Sequence, residues 1–202
     1  MRLTARNLTA ERGGETVFHD ISFVLAAGDA LVVTGPNGTG KSTLLKVVAG
    51  LLPATQGTVE VDGNEADQPG VAAICHYLGH QNAMKTALTV AENLAFWRGF
   101  MGAPALAADD ALAAMGLPDI GHLPYAYLSA GQRRRVAIAR LLASRRPLWI
   151  LDEPTAGLDA ASERQFAALM QAHRAGGGMV LAATHVPLGL EDAAELRMAL
   201  PM

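Results

Sequence analysis

The sequence predicts an α/β fold: a mostly parallel sheet, an N-terminal antiparallel β-subdomain and a small inserted α-helical subdomain. Three observations point there. ALVVT (30 to 34), PLWIL (147 to 151) and MVLAAT (179 to 184) are short apolar runs that read as strands buried on both faces. Helix-period segments alternate with them, as in a parallel sheet covered by helices. Between residues 82 and about 127 the pattern turns wholly helical, which marks an inserted lobe. The chain of 202 residues fits one domain, and with 50% hydrophobic but only 5% aromatic residues its core is built mainly from Ala, Leu and Val.

Taken in order, residues 2 to 9 and 16 to 25 alternate as two strands of an antiparallel sheet. Strand 30 to 34 runs into a Gly-rich loop, and KSTLLKVVAGLL then spaces its apolar residues as a helix, with Gly50 and Pro53 as stop signals. GTVEVDG (57 to 63) reads as a sheet-edge strand and VAAICHYLG (71 to 79) as a more buried one. In the lobe, TVAENLAFWRGFMG opens with a capping box, Thr89 to Glu92, and PALAADDALAAMG places Pro104 at a helix start and Gly116 at its end. A further helix begins at Ser129 and another spans about 160 to 175, with GGG at 176 to 178 turning into the next strand. This predicts a single domain over 1–202, with 1–81 and 147–202 as the α/β core and β-subdomain. Residues 82–146 form the helical subdomain.

Net charge is −3, which gives no global electrostatic reason to bind nucleic acid or an anionic membrane. A single cysteine, Cys75, excludes an intramolecular disulfide and a cysteine-rich metal cluster, so a reducing cytosol is expected. MRLTARNLTAERGGE lacks the apolar stretch of a signal peptide, and no run of about 18 apolar residues is present to span a bilayer. Any membrane role is expected to come through a partner.

GPNGTGKST, residues Gly35, Pro36, Asn37, Gly38, Thr39, Gly40, Lys41, Ser42 and Thr43, fits the phosphate-loop pattern between a strand and a helix, which points to a P-loop NTPase core. The glycines let backbone N–H groups converge on a β-phosphate, and the helix adds its positive dipole end. Lys41 supplies a point charge to the β- and γ-phosphates; the Ser42 hydroxyl is a ligand for Mg²⁺. LWILDEP (148 to 154) ends a buried strand in two acids. Asp152 is placed to hold a magnesium-bound water, and Glu153 to orient or deprotonate an attacking water. LSAGQRRRVAIAR (128 to 140) reads like half of a second phosphate-binding site: Ser129 can cap a helix, Gln132 completes the capping box, and free N–H groups point outward. Arg133, Arg134 and Arg135 sit in its first turn against the helix dipole, where either a nearby polyanion or salt bridges to neighbouring acids would offset the cost.

Together these motifs resemble the ABC-type ATPases, whose signature is usually LSGGQ; here Ala130 replaces the second glycine. The resemblance covers nearly the whole chain. It implies ATP and Mg²⁺ as ligands and a head-to-tail homodimer in which Ser129, Gly131 and Gln132 serve the ATP held by the partner's phosphate loop. It assigns Gln81, in HQNAMKT, to sensing magnesium and the membrane subunit, and Asp159, in AGLD, to a loop crossing the dimer. His185, in ATH, matches the switch histidine that contacts the γ-phosphate, although a lone histidine after a strand is usually structural. At the position of the family's adenine-stacking aromatic stands Arg12, which either stacks through its planar guanidinium or is a solvated turn residue.

YLGHQNAMKTALTVAENLAF, LSAGQRRRVAIARL and PLWILDEPTAGLD further resemble the ATP-binding subunits of the cytochrome c maturation haem exporters. That implies an ATPase on the cytoplasmic face of the inner membrane, peripheral, working with integral membrane subunits to power haem export or release of a haem-loaded chaperone. The rival readings are an ATPase for another ABC transporter and a soluble ABC-type assembly ATPase. No direct nucleic-acid or haem binding is expected: C-x-x-C-H is absent, and on a strand Cys75 and His76 face opposite sides.

Overall fold

The computed structural model describes residues 1–62 and 70–200. The N-terminal strands β1 (Arg2–Arg12) and β2 (Glu15–Ala26) form a hairpin over Gly13 and Gly14, both at positive φ, as a two-residue I′-type turn requires. β3 (Ala30–Thr34) passes through the phosphate loop into helix α1 (Lys41–Val48). β4 (Gln56–Asp62) then pairs antiparallel with β1, giving a three-stranded sheet of order β2-β1-β4 in which it is indeed an edge; Gly63 of the expected strand lies outside the described residues.

Residues 71 to 79 do not form one strand. Val71–Ile74 make a short helix, α2, and only Cys75–Leu78 form β5. β5 pairs with one neighbour, β6 (Leu148–Asp152), in a register that starts at Cys75 opposite Leu148. Where β6 begins, the preceding residues lose a pairing partner, and they close local bonds instead, such as Ala73 N–H to the Gly70 carbonyl.

The helical stretch comprises α3 (Val90–Met101), α4 (Ala108–Ala113), a 3₁₀ turn (Tyr125–Tyr127) and α5 (Ala130–Ala143). The expected capping box of α3 is present, with Thr89 and Glu92 bonded reciprocally. Pro104, however, does not start a helix. Ala103 turns the chain at φ 43, and residues 104 to 106 then run past the end of α5, where Ala105 and Leu106 donate to the Ala143 and Leu142 carbonyls. A helix end leaves its last carbonyls without donors, and this strap satisfies two of them. Gly116 (φ 64) turns the chain just beyond α4.

Helix α6 (Ala160–Ala175) and strand β7 (Met179–Ala183) follow, joined through residues 176 to 178. A short strand that the sequence did not announce, β8 (Ala194–Arg197), completes a parallel sheet of order β5-β6-β7-β3-β8. Alternate residues of its strands feed two apolar clusters, one per face. Leu148, Ile150, Leu181 and Ala183 join α1 and β1; Trp149, Leu151, Val180 and Ala182 join α3 to α6. The helical stretch therefore shares its core with one face of the sheet, and the parallel strands aim their C-terminal ends at one rim.

Candidate active site

At that rim β3, β6 and β7 deliver the motif residues side by side. The phosphate loop leaves β3 through Gly35 (φ 137), where any Cβ would lie 2.3 Å from the Met198 carbonyl oxygen. It enters α1 through Gly40 (φ 90), which caps the helix without a side chain. Thr39 is buried and its hydroxyl donates to the Pro36 carbonyl, bracing the loop. The Lys41 ammonium, only 7% exposed, donates to the Gly35 and Pro36 carbonyls at 2.7 and 3.0 Å. A loop curled around its own lysine, opening a helix whose first N–H groups carry no side-chain cap, is an anion cradle.

Asp152 ends β6 buried to 6% exposure and accepts from the Ser42 hydroxyl at 2.9 Å. These two hard oxygen donors, 110 residues apart in sequence, fit the oxygen-only preference of Mg²⁺. Tyr77 on β5 donates to the other Asp152 oxygen at 3.3 Å, a contact that no sequence signal announced; burial and the neighbouring carboxylate both push its phenol pKa up. Glu153 follows in a left-handed conformation (φ 44), its N–H bonded to the Ala183 carbonyl. His185, past the end of β7, places Nε2 2.9 Å from the Asn37 side-chain oxygen and 3.5 Å from a Glu153 oxygen. Both neighbours are acceptors, which assigns the proton to Nε2.

Among the described residues, the remaining expected ones make no hydrogen bond to this cluster. Gln81 is exposed. Ser129 and Gln132 close the expected capping box, Ser129 accepting from the Gln132 N–H and Gln132 accepting from the Ser129 N–H. Gly131 sits close to Gly157, whose carbonyl oxygen a Cβ there would meet at 3.3 Å. Asp159 caps α6 by accepting from the Ser162 N–H at 2.7 Å, and those bonds hold its carboxyl below the usual range. Arg12 is exposed at the β1–β2 turn, in register with Glu15.

The salt bridges to neighbouring acids expected as one alternative for Arg133 and Arg134 are not formed among the described residues. Arg133 donates to the Ala126 carbonyl at 2.6 Å and lies over the Tyr125 ring, while Arg134 is buried among carbonyls with no carboxylate in contact. Their partners are mostly backbone oxygens of segments brought in by the fold, with the Asn82 side chain at Arg134 and the Tyr125 ring at Arg133, and sequence distance conceals them.

The comparisons agree with this geometry. The ABC transporter family model matches residues 18–156. This chain belongs to the ABC transporter family. It is 63% identical over 98% of both chains to a protein of Mesorhizobium japonicum named cytochrome c biogenesis ATP-binding export protein CcmA. Among solved structures, an ATP-binding subunit of an ABC transporter superposes with a TM-score of 0.85 at 26% identity, over 98% of this chain and 86% of that one. A dimeric ATP-binding cassette in a post-hydrolysis state with ADP and phosphate superposes at 0.81 and 25% identity, over 97% of this chain and 94% of that one. The chain is thus an ABC-type ATPase, and ATP is its ligand.

Proposed function

We propose that this chain is the ATP-hydrolysing subunit of a transporter complex serving cytochrome c maturation, powering haem export or release of a haem-loaded chaperone. One observation carries the catalytic part: Ser42–Asp152 and Asn37–His185–Glu153 converge at the C-terminal rim of one parallel sheet. The name of the Mesorhizobium japonicum relative supports the transport part.

In this reading the loop N–H groups from Gly38 onward and Lys41 hold the β- and γ-phosphates. Glu153 takes a proton from water as that oxygen attacks the γ-phosphorus and the bond to the ADP oxygen breaks. His185 donates from Nε2 to the γ-phosphate when nucleotide is bound, exchanging for it the Nε2 contacts with Asn37 and Glu153. Ser42, Asp152 and Gln81 would hold Mg²⁺, which would supply charge neutralisation for the phosphates. Ser129, Gly131 and Gln132 of a second copy cap the same γ-phosphate, and Asp159 crosses between the copies. Arg12 stacks on the adenine.

The membrane partner is reached through the helical subdomain, residues 82–146. Phe96 and Phe100 of α3 are 45% and 71% exposed and form an aromatic group with Trp97, whose indole N–H donates to the Ala83 carbonyl beside Gln81. An exposed aromatic patch fits a protein interface. Among the described residues no helix is long and apolar enough to cross a membrane. Attachment to the cytoplasmic face of the inner membrane therefore rests on this partner. Isolation from native membranes with identification of co-purifying integral proteins tests the proposal. Haem-handling membrane subunits are expected; a soluble iron–sulfur scaffold as the partner would overturn it.

A further inference from the structure

Arg134, the fifth residue of α5, is 5% exposed, and its five N–H donors meet five acceptors. Nε donates to the Pro154 carbonyl at 2.9 Å. Nη1 donates to the Gly79 carbonyl at 2.8 Å and the Asn82 side-chain oxygen at 3.2 Å. Nη2 donates to the Glu153 carbonyl at 2.8 Å and the Asp152 carbonyl at 3.4 Å. One edge of the guanidinium is thus bonded on both sides of Gln81, and the other to the backbone of the two acids. We propose that Arg134 is a positioning residue that ties the backbone of Glu153 to the segment 79–82, so that displacement of this segment or of α5 is transmitted to Glu153. The inference rests on the reading of Glu153 as the base.

Three physical points support the link. A guanidinium is planar and rigid, so its two edges move as one body; a flexible ammonium on a single point of attachment does not. Glu153 has φ 44, a conformation that persists in a non-glycine residue only where its surroundings over-determine it. Its N–H is fixed by the Ala183 carbonyl, and its own carbonyl is fixed by Arg134 together with the weaker 3.3 Å bond from the Ala156 N–H. Finally, a buried cation without a contacting carboxylate is costly to retain as mere filler. Burial pulls its pKa down, and the more distant Asp152 and Tyr125 oppose that shift.

The test uses the full chain: steady-state MgATP hydrolysis, binding of a fluorescent ATP analogue, and single-turnover rates in wild-type and Glu153→Gln backgrounds. Arg134→Lys keeps the charge but loses the fork. It is expected to lower kcat roughly 10- to 100-fold with KM and ATP affinity within about twofold, as misorientation of a reacting group does. In the Glu153→Gln background the same change should lower the single-turnover rate by no more than about twofold, because its effect passes through Glu153. Equal losses in both backgrounds, or a raised KM at unchanged kcat, would overturn the link. Should Arg134→Lys fail to bind nucleotide, Asn82→Ala decides. It removes one acceptor beside Gln81, and kcat should fall about 3- to 10-fold at unchanged affinity; an unchanged kcat would overturn the proposal. A wild-type chain that binds ATP without hydrolysing it overturns the ATPase reading itself. Active wild type with equally active variants overturns only the link.

Discussion

At the phosphate loop Lys41, Asp152 and Thr39 are buried, and each is bonded to a residue of another loop or strand or to the loop's own backbone. At the signature turn Ser129 and Ala130 are exposed, and among the described residues the side chains of Ser129 and Gln132 bond to each other's backbone N–H. The first region is completed within one chain; the second is a finished helix cap presented to solvent. On the proposed head-to-tail reading, the surface offered to another copy is held ready by purely local bonds. The site that must bind on its own is instead welded together from distant parts of the sequence.

The largest test of that contrast is Glu153→Gln. General base catalysis is worth roughly 10²- to 10⁴-fold, so turnover should fall by that much while ATP still binds and drives a stable dimer on size-exclusion chromatography with MgATP. Wild-type turnover would remove Glu153 from its role. Next comes Ser129→Arg, expected to cost on the order of 10²-fold in turnover, as loss of a charge-stabilising donor does, with nucleotide affinity of the isolated chain unchanged. Tethered dimers sharpen this. Lys41→Ala on one copy and Ser129→Arg on the other put both lesions in one composite site and leave one site whole, whereas both changes on one copy spoil both sites. Radiolabelled ATP trapped in equal amounts by the two arrangements would rule out a shared site.

Smaller effects separate the regions by stability. Gly35→Ala introduces a Cβ 2.3 Å from the Met198 carbonyl oxygen at φ 137. Strain of about 1–3 kcal/mol corresponds to a loss of roughly 3–10 °C in Tm for a chain of this size. Gly131→Ala meets only the Gly157 carbonyl at 3.3 Å, and calorimetry should find its Tm within about 2 °C of wild type. The smallest effect is expected at Arg12, exposed at the β1–β2 turn. Stacking worth about 0.5–2 kcal/mol predicts that Arg12→Ala raises the KM for ATP roughly 2- to 30-fold with kcat unchanged. GTP should be used nearly as well as ATP, since stacking reads no hydrogen-bonding edge. Steady-state kinetics with both nucleotides checks this; an unchanged KM returns Arg12 to the solvated surface.

The same contrast explains what the sequence reveals. Thr89 with Glu92 and Ser129 with Gln132 are bonded three residues apart, so both capping boxes are legible from local pattern alone. The strands of the sheet interior are legible because burial on both faces imposes an apolar run. Val71–Ile74 is not, because its helical form depends on where β6 begins. Pro104 has a good helix-start sequence but is recruited to the end of α5. The motif residues at the rim were all recognisable, yet Tyr77 beside Asp152 and the carbonyls around Arg134 were not. Backbone oxygens have no sequence signature, and a tyrosine in a strand looks like packing.

The order of the parallel sheet has a consequence for biosynthesis. β3 lies between β7 and β8, so the strand that feeds the phosphate loop finds its first pairing partner 145 residues later, at Met179. At ribosomal speeds of about 5–20 residues per second, that interval is on the order of ten seconds. During it the loop sequence is already translated but has no parallel sheet to hold it, and the chain gains competence for nucleotide only as its last eighth emerges. A nascent chain arrested short of residue 179 should retain no ATP on a filter, whereas the released chain should, which keeps half-made cassettes from consuming nucleotide or engaging a partner.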